Sequence, residues 1–274
     1  MDKQQERGWP FDMPPVAPAQ IFDDVFYIGK KIVGIFVVKT SEGLVLIDAL
    51  DIVDADEKCI IPGLRELGLD PKDINTIILT HGHFDHFAGA KRLQDRYHCK
   101  VALGLVDSGF MVYSENPMEY VEHPHIDLIL EDGKELRFGD HRFIPCLNPG
   151  HTPGGMSLIF NVHDGGEEHW VSLWVGAGLP RAKTKPQVAV QMEATCQYIN
   201  SLYQFEQSCE EKNCDVVLGV HPHRCDLFPK LEQLSQRQPG QAHPFVVGPE
   251  GVKANLQALA HGALEQAGQI IDEM

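Results

Sequence analysis

The sequence predicts an α/β domain in which two β-sheets pack against each other with helices on the outside. Three observations predict this class. The 274 residues are 43% hydrophobic, which is enough to bury a substantial core. Short strand-like runs cluster in both halves of the chain, and helical stretches separate the clusters. No linker-like stretch divides the halves, so we predict that residues 21–274 form a single domain of two similar halves.

The elements of the first half are predicted from composition and periodicity. Residues 1–20 contain four prolines and are expected to form an extended arm. β-branched and other apolar residues between turn residues predict strands at 25–28, 32–38, 44–47, 76–80 and 100–103. Helical stretches are predicted near 55–67 and 88–97.

The second half repeats this organisation. Strands are predicted at 126–130, 135–138, 142–146, 156–161, 169–175 and 215–219. A long helix is predicted over about 190–211, with Cys196, Ile199 and Tyr203 as its apolar positions. A C-terminal amphipathic helix is predicted from the spacing of Val252, Leu256, Leu259 and Ala263. Both helices are expected to pack against the core.

The chain is strongly acidic, which restricts its partners. It has 23 basic and 39 acidic residues and a formal net charge of −16. Because Lys and Arg are neither in excess nor clustered, nothing replaces phosphate counterions, and no nucleic acid is expected as a partner. No run approaches the ~20 apolar residues that cross a bilayer, so no membrane partner is expected either. We expect a small-molecule substrate; the oligomeric state stays unknown.

The compartment is predicted from the N-terminus and the cysteines. The polar opening from Met1 to Gly8 lacks the apolar stretch of a secretory signal. The seven cysteines are scattered without Cys-x-x-Cys spacing, which indicates reduced thiols, most of them small core residues. We therefore expect a cytoplasmic protein. The alternative is a periplasmic protein whose signal peptide was removed.

The most informative motif follows the predicted strand at 76–80. It reads His81-Gly82-His83-Phe84-Asp85-His86 and precedes a helix. On a loop at a strand end, alternate residues can converge, so His81 and His83 can bind one metal ion while Asp85 and His86 point to a second position. Neutral imidazole suits zinc, and a carboxylate adds charge for a second divalent ion. An exposed loop of unrelated polar residues does not explain four potential ligands within six residues.

Two more histidines lie in matching contexts. His151 occupies a Gly- and Pro-rich turn between two predicted strands, and His221 follows the strand at 215–219. Together with the first motif, both are predicted to be metal ligands. His223 is an alternative ligand to His221, or a residue beside the ligands or lining the substrate groove. The other histidines are expected on the surface or in loops: His98, His123, His125, His141, His163, His169, His243 and His261.

These motifs resemble the metallo-β-lactamase superfamily. The specific pieces are the segment from Thr80 to Gly89, the His-Thr-Pro-Gly turn at 151–154 and the strand at 44–47 that runs into Asp48. The resemblance implies a four-layer αβ/βα sandwich with two zinc ions between the sheet edges. It assigns His81, His83 and His151 to the first zinc, and Asp85, His86 and His221 to the second. Asp48 resembles the acid that steadies ligands in such sites.

One difference from most of the superfamily indicates which branch of it the sequence resembles. Most members of the superfamily carry a bridging aspartate in the stretch that corresponds to 174–180, and this chain has none there. That pattern resembles the third subclass of class B β-lactamases, as do the arm with Trp9 and Pro14 and the segment at 243–251. Two features differ from that subclass. Val252 replaces a cysteine that usually pairs with the counterpart of Cys214, and the carboxylate-binding serines are missing. Arg181 or Arg224 is a candidate substitute.

The resemblance implies a zinc-dependent hydrolase. A zinc-bound hydroxide opens a β-lactam ring, which is the chemistry of antibiotic resistance, and Asp85 both binds metal and orients that hydroxide as the catalytic residue. Two alternatives stay open. The first is a lactonase or thioesterase of the same fold. The second is a metal-dependent redox or binding protein.

Overall fold

A computed structural model describes residues 13–52, 54–113, 121–176, 178–179 and 184–272, and it contains two mixed β-sheets. The first sheet follows chain order: β1 (Ala19–Gln20), β2 (Val25–Gly29), β3 (Gly34–Thr40), β4 (Gly43–Ile47), β5 (Ile74–Ile78), β6 (Lys100–Gly104) and β7 (Leu128–Leu130). The second sheet has the order β12-β11-β10-β9-β8, formed by β8 (Leu136–Phe138), β9 (His141–Leu147), β10 (Met156–Asp164), β11 (Glu167–Leu173) and β12 (Val216–Leu218).

Helices flank the two sheets. They are α1 (Ile61–Glu66), α2 (Phe84–Phe87), α3 (Ala90–Tyr97), α4 (Leu105–Tyr113), α5 (Lys185–Glu211), α6 (Leu227–Ser235) and α7 (Gly248–Asp272). The helix predicted near 55–67 consists of a π-helical turn at Asp56–Ile60 that continues into α1. The sequence patterns did not predict α2, α4 or α6.

The first sheet is buried on both faces. Strands β2 to β4 are antiparallel neighbours, and β4 to β7 run parallel. Val25 and Tyr27 enter the core between the sheets, whereas Phe26 and Ile28 enter the core shared with α1 and α3. Because both faces are covered, these strands read as nearly continuous apolar runs.

The second sheet completes the sandwich. Phe143 and Phe160, on neighbouring strands, stack in the core that both sheets share. Helices α5 and α7 add buried side chains to the same core, among them Phe205 and Val252. Because helices lie outside two packed sheets, the predicted αβ/βα sandwich is confirmed.

The buried face of α5 differs from the predicted one. Cys196 and Tyr203 are exposed and Ile199 is only partly buried. The residues that face the core are Thr195, Tyr198, Leu202, Phe205 and Cys209. The prediction was wrong by about one position because both sets have helical spacing. In addition, Trp174 Nε1–H donates a hydrogen bond of 2.9 Å to the Tyr198 hydroxyl, which favours the face of α5 that carries Tyr198.

The N-terminal segment is only partly described. Residues 1–12, including Trp9, lie outside the described residues, and β1 pairs antiparallel with β2 through Ala19 and Gln20. The division into an arm over 1–20 and one domain of two similar halves stays a prediction. In the described part of the chain, no helix has both the length and the apolar character of a membrane span. All seven cysteines are free, and Cys196 is the one that is exposed. The cytoplasmic location stays a prediction.

His141 is buried in β9, so the expectation of a surface or loop position was wrong for it; His243 lies in the loop between α6 and α7 as expected, but it is buried there. His243 donates from Nε2 to the carbonyl of Ile21 at 2.9 Å and stacks on Phe22. His141 approaches Asp24 Oδ2 with its Nε2 at 2.9 Å, and His163 Nδ1 approaches the same oxygen at 2.5 Å. Asp24 precedes a strand of the first sheet and both histidines lie on the second, so this cluster joins the sheets.

We expect this cluster to make the stability of the fold decrease both at low pH and at high pH. Burial opposes ionisation of both groups, but their mutual hydrogen bonds lower the pKa of Asp24 below 3.8 and raise that of His141 above 6.5. The Asp24 contribution is therefore present above pH 3.8 and lost as the pH falls through its lowered pKa. The His141 contribution is complete below pH 6.5 and lost as the pH rises through its raised pKa.

Thermal unfolding of the wild type and His141→Gln across this range measures the effect. The difference between their midpoints should be largest between pH 3.8 and 6.5 and shrink on both sides. A difference that does not change with pH would show that the hydrogen bonds contribute without charge.

Candidate metal centre

The predicted ligands converge where strands of the two sheets end. The loop of residues 81–86 follows the end of β5, a parallel strand between β4 and β6. Open α/β sheets bind ligands outside the carboxyl ends of their strands, since loops of neighbouring strands meet there. His151 lies in the loop between β9 and β10, and His221 lies beyond β12. The structure therefore brings residues from both sheets to one place.

His81, His83 and His151 form the first triad. His83 Nδ1 lies 3.1 Å from His81 Nε2 and 3.0 Å from His151 Nε2. The two Nε2 atoms of His81 and His151 are 3.1 Å apart. Zinc bonds of about 2.0–2.1 Å in a tetrahedral arrangement place ligand nitrogens about 3.3 Å apart, which these distances nearly match.

Hydrogen bonds at Nδ1 leave His81 Nε2 and His151 Nε2 with a lone pair and no proton. The Thr80 hydroxyl donates to Asp48 at 3.0 Å and so accepts from His81 Nδ1 at 2.9 Å. His151 Nδ1 donates to the carbonyl of Gly178. Two neutral rings therefore face each other without a proton between their Nε2 atoms. Because such a contact is repulsive unless a cation lies between the rings, the donor set fits a metal ion.

Asp85, His86 and His221 form the second triad. His86 Nε2 lies 3.2 Å from His221 Nε2 and 3.4 Å from an Asp85 oxygen, which is 4.0 Å from His221 Nε2. His86 Nδ1 faces Asp48 Oδ2 at 2.6 Å, and His221 Nδ1 donates to the carbonyl of Ile32 at 2.8 Å. The ring centres of His81 and His86 are only 4.1 Å apart, so the two triads adjoin.

The protonation states suit metal binding. Burial lowers the pKa of His83 to about 4 and the pKa values of His151 and His221 to about 3. These rings are therefore neutral near pH 7, as ligands must be. Burial also opposes the ionisation of Asp85, but the neighbouring His86 outweighs it and holds the Asp85 pKa well below its usual range.

His86 is the exception among the rings. Burial disfavours its charged form, but Asp85 and Asp48 outweigh burial and raise its pKa to about 10. A cation at Nε2 is therefore favoured by two carboxylates, and a metal ion can replace the proton there while Asp48 keeps the proton on Nδ1. Asp48 is fully buried and has the left-handed φ of 68°. It lies beside Thr80 and His86, and its role in steadying metal ligands stays a prediction.

Asp107 is a site residue that the sequence analysis missed. Its carboxylate is fully buried and accepts hydrogen bonds from Gly82 N, the Thr152 hydroxyl and Gly154 N. It lies in α4, directly beyond β6, the parallel neighbour of the strand that carries the metal loop. Adjacent parallel strands were the available signal, since their carboxyl ends share one edge.

His223 and Arg224 are the remaining predicted residues that the structure describes. His223 is exposed, with its ring centre 6.0 Å from that of His221, so His221 completes the second triad. The Nη2 of Arg224 lies 3.4 Å from where a Cβ on Gly178 would be, which places the guanidinium beside the residue whose carbonyl accepts from His151. Ala177, Pro180 and Arg181 lie outside the described residues. Gly176 has a φ of 79°, and a Cβ there would meet the His151 ring at 2.3 Å.

The fold and the site together define an αβ/βα sandwich in which two adjoining triads of potential metal ligands lie where strands of the two sheets end. Residues 29–164 match the family model of the metallo-beta-lactamase superfamily, and this segment of the chain belongs to that superfamily.

Two curated proteins match part of the chain in sequence. The probable polyketide biosynthesis zinc-dependent hydrolase BaeB of Bacillus velezensis is 31% identical over 100 residues, 36% of this chain and 39% of that protein. The hydroxyacylglutathione hydrolase of Rhizobium etli is 29% identical over 87 residues, 32% and 29% of the two chains. The chain thus spans well under two thirds of these curated relatives.

The structural likeness extends further. The crystal structure of BJP-1, a subclass B3 metallo-beta-lactamase of Bradyrhizobium japonicum, has a TM-score of 0.81 at 23% identity, covering 96% of this chain and 98% of that one. At this identity the likeness establishes the shared fold.

Proposed function

We propose that the chain is a dinuclear zinc hydrolase that opens the cyclic amide of a β-lactam. One observation carries this proposal. Within the described residues the two triads adjoin but share no ligand, and the stretch at 174–180 has no acidic residue or cysteine to bridge them. A second triad of one aspartate and two histidines, without a bridging carboxylate, is the pattern that resembles the subclass-three enzymes. The likeness of the fold to BJP-1 supports the same assignment.

The residues of the site have separable tasks in this reaction. Zinc bound at the triads supplies a Lewis acid and lowers the pKa of water from 15.7 towards about 7. The ionised Asp85 carboxylate lies beside His86 and His221, where it can bind metal and accept a proton of the attacking water. The Phe110 ring packs edge to face on the His83 ring and so lines one side of the site. Arg224 lies on the side of His151 and is the described candidate for binding a substrate carboxylate.

A thioesterase is the second candidate. The observation in its favour is the match to a relative named hydroxyacylglutathione hydrolase. The local identity covers 29% of that protein, so its substrate cannot be transferred from the name alone. The missing bridging aspartate, which most members of the superfamily carry, disfavours this candidate.

A substrate panel on zinc-loaded protein tests the proposal. We expect hydrolysis of a chromogenic cephalosporin with kcat/KM of about 10⁴ M⁻¹s⁻¹ or more, and much slower turnover of an acyl-lactone and an acyl-glutathione thioester. His83→Ala, which breaks the first triad, is the matched control for background hydrolysis. Faster turnover of the thioester or the lactone than of the cephalosporin would contradict the β-lactamase assignment and leave the hydrolase assignment intact.

A further inference from the structure

A single buried carboxylate connects the two loops that supply the first triad. Asp107 Oδ2 accepts from Gly82 N at 2.8 Å and from the Thr152 hydroxyl at 2.7 Å, while Oδ1 accepts from Gly154 N at 2.6 Å. Gly82 lies between His81 and His83, and Thr152 directly follows His151. Asp107 therefore binds the chain on both sides of the three-histidine cluster.

The loops also approach α4 closely. A Cβ on Gly82 would lie 2.9 Å from the Asp107 carbonyl, and one on Gly154 would lie 3.0 Å from Asp107 Oδ1. The Phe110 ring, one turn further along α4, contacts His83. A displacement of Asp107 must therefore move the His81–His83 loop relative to the His151 loop.

Asp107 and Asp48 serve different parts of the site. Asp48 holds His86 and Thr80, so it supports the second triad and, through the Thr80 hydroxyl, His81. The contacts of Asp107 go to the loops of the first triad alone. Removing a group that hydrogen-bonds to metal ligands without binding the metal itself typically weakens metal affinity by about 10–100-fold.

We propose that Asp107 is a positioning residue that sets the separation of the His81–His83 loop from the His151 loop and thereby the zinc affinity of the first triad. The proposal rests on the proposed zinc site. The Asp107 carboxylate is suited to this task because its two oxygens accept hydrogen bonds from three donors at once. In Asp107→Asn an amide group replaces one oxygen, so at least one backbone N–H of the two loops faces another donor.

The test isolates each triad before changing Asp107. His221→Ala leaves the first triad complete, and His83→Ala leaves the second complete. Asp107→Asn is added to each variant, and the zinc dissociation constant is measured by competition with a chromophoric chelator. We expect the constant to rise about 10–100-fold in the His221→Ala protein and to stay unchanged in the His83→Ala protein.

Asp24→Asn provides the matched control. Asp24 is also a buried carboxylate that joins separate strands, but His163, which it holds, lies seven residues along β10 from Met156 at the metal end, about 24 Å. In the His221→Ala protein this control should lower the thermal midpoint without changing zinc affinity. An equal loss of affinity in the control would refute the positioning role, as would an Asp107→Asn protein that binds zinc like its parent.

A milder change covers the case in which Asp107→Asn does not fold. Thr152→Val removes the hydroxyl donor and keeps the side-chain shape, and it should weaken zinc binding in the same direction by a smaller factor. Unchanged affinity in Thr152→Val and a folded Asp107 variant with normal affinity both overturn the proposal. If the His221→Ala protein itself binds no zinc, the proposed zinc site fails, which is a different result.

Discussion

Replacing His83 by alanine is expected to abolish hydrolysis and to remove one of two bound zinc ions. His83 Nδ1 stands 3.1 Å from His81 Nε2 and 3.0 Å from His151 Nε2, so its loss leaves the first subsite with two ligands. Without this ion the reaction loses the lowered pKa of its water, and kcat/KM should fall by at least about 10³-fold. Steady-state kinetics and metal analysis of the same sample measure both effects.

His261→Ala is the matched control for this change. The His261 side chain on α7 is 73% exposed and pairs with Glu265, so its removal should leave kinetics and zinc content at wild-type values. Wild-type activity in His83→Ala would refute the assignment of the first triad. A parallel loss in the His261→Ala protein would instead indicate that activity is sensitive to histidine substitution in general.

Replacing Asp48 by alanine should destabilise the fold and weaken the second zinc. The fully buried carboxylate accepts from Thr80 N at 2.7 Å, from the Thr80 hydroxyl, and from His86 Nδ1 at 2.6 Å. Removing one partner of a buried, hydrogen-bonded charge pair costs about 3–5 kcal/mol. Denaturant unfolding measures the stability change, and chelator competition measures the loss of zinc affinity, expected at about 10–100-fold.

Asp24→Ala separates the two effects of that change. It removes another buried carboxylate with histidine partners, and it should lower the free energy of unfolding without altering zinc affinity. If Asp48→Ala retained full affinity for both zinc ions, Asp48 would be a stabilising residue without influence on the metal centre.

The convergence of the candidate ligands was largely predictable because they follow local rules of sequence and secondary structure. Residues 81–86 are contiguous, and their spacing after an apolar strand predicts convergence at a strand end. His151 and His221 each follow a strand of the second sheet, so both were predicted from their position after a strand, without a second potential ligand close by in a motif. Asp48 was found in the same way, at the end of β4.

Other parts depend on contacts between distant segments, which a single sequence does not display. Asp107 is one aspartate in an apolar stretch, and its importance comes from donors 25 and 47 positions away. Asp24 meets His141 and His163 only because the two sheets pack together. The face of α5 was misplaced for a related reason. Two sets of residues satisfy the helical period, and the partner surface decides between them.

Anomalous scattering from crystals tests most directly whether two zinc ions occupy the adjoining triads. Data collected on both sides of the zinc absorption edge should give two peaks about 2.0–2.2 Å from their ligand atoms. One peak is expected among His81, His83 and His151, and the other among Asp85, His86 and His221. Peaks that appear at the iron edge instead, or a single peak in zinc-saturated crystals, would contradict the account.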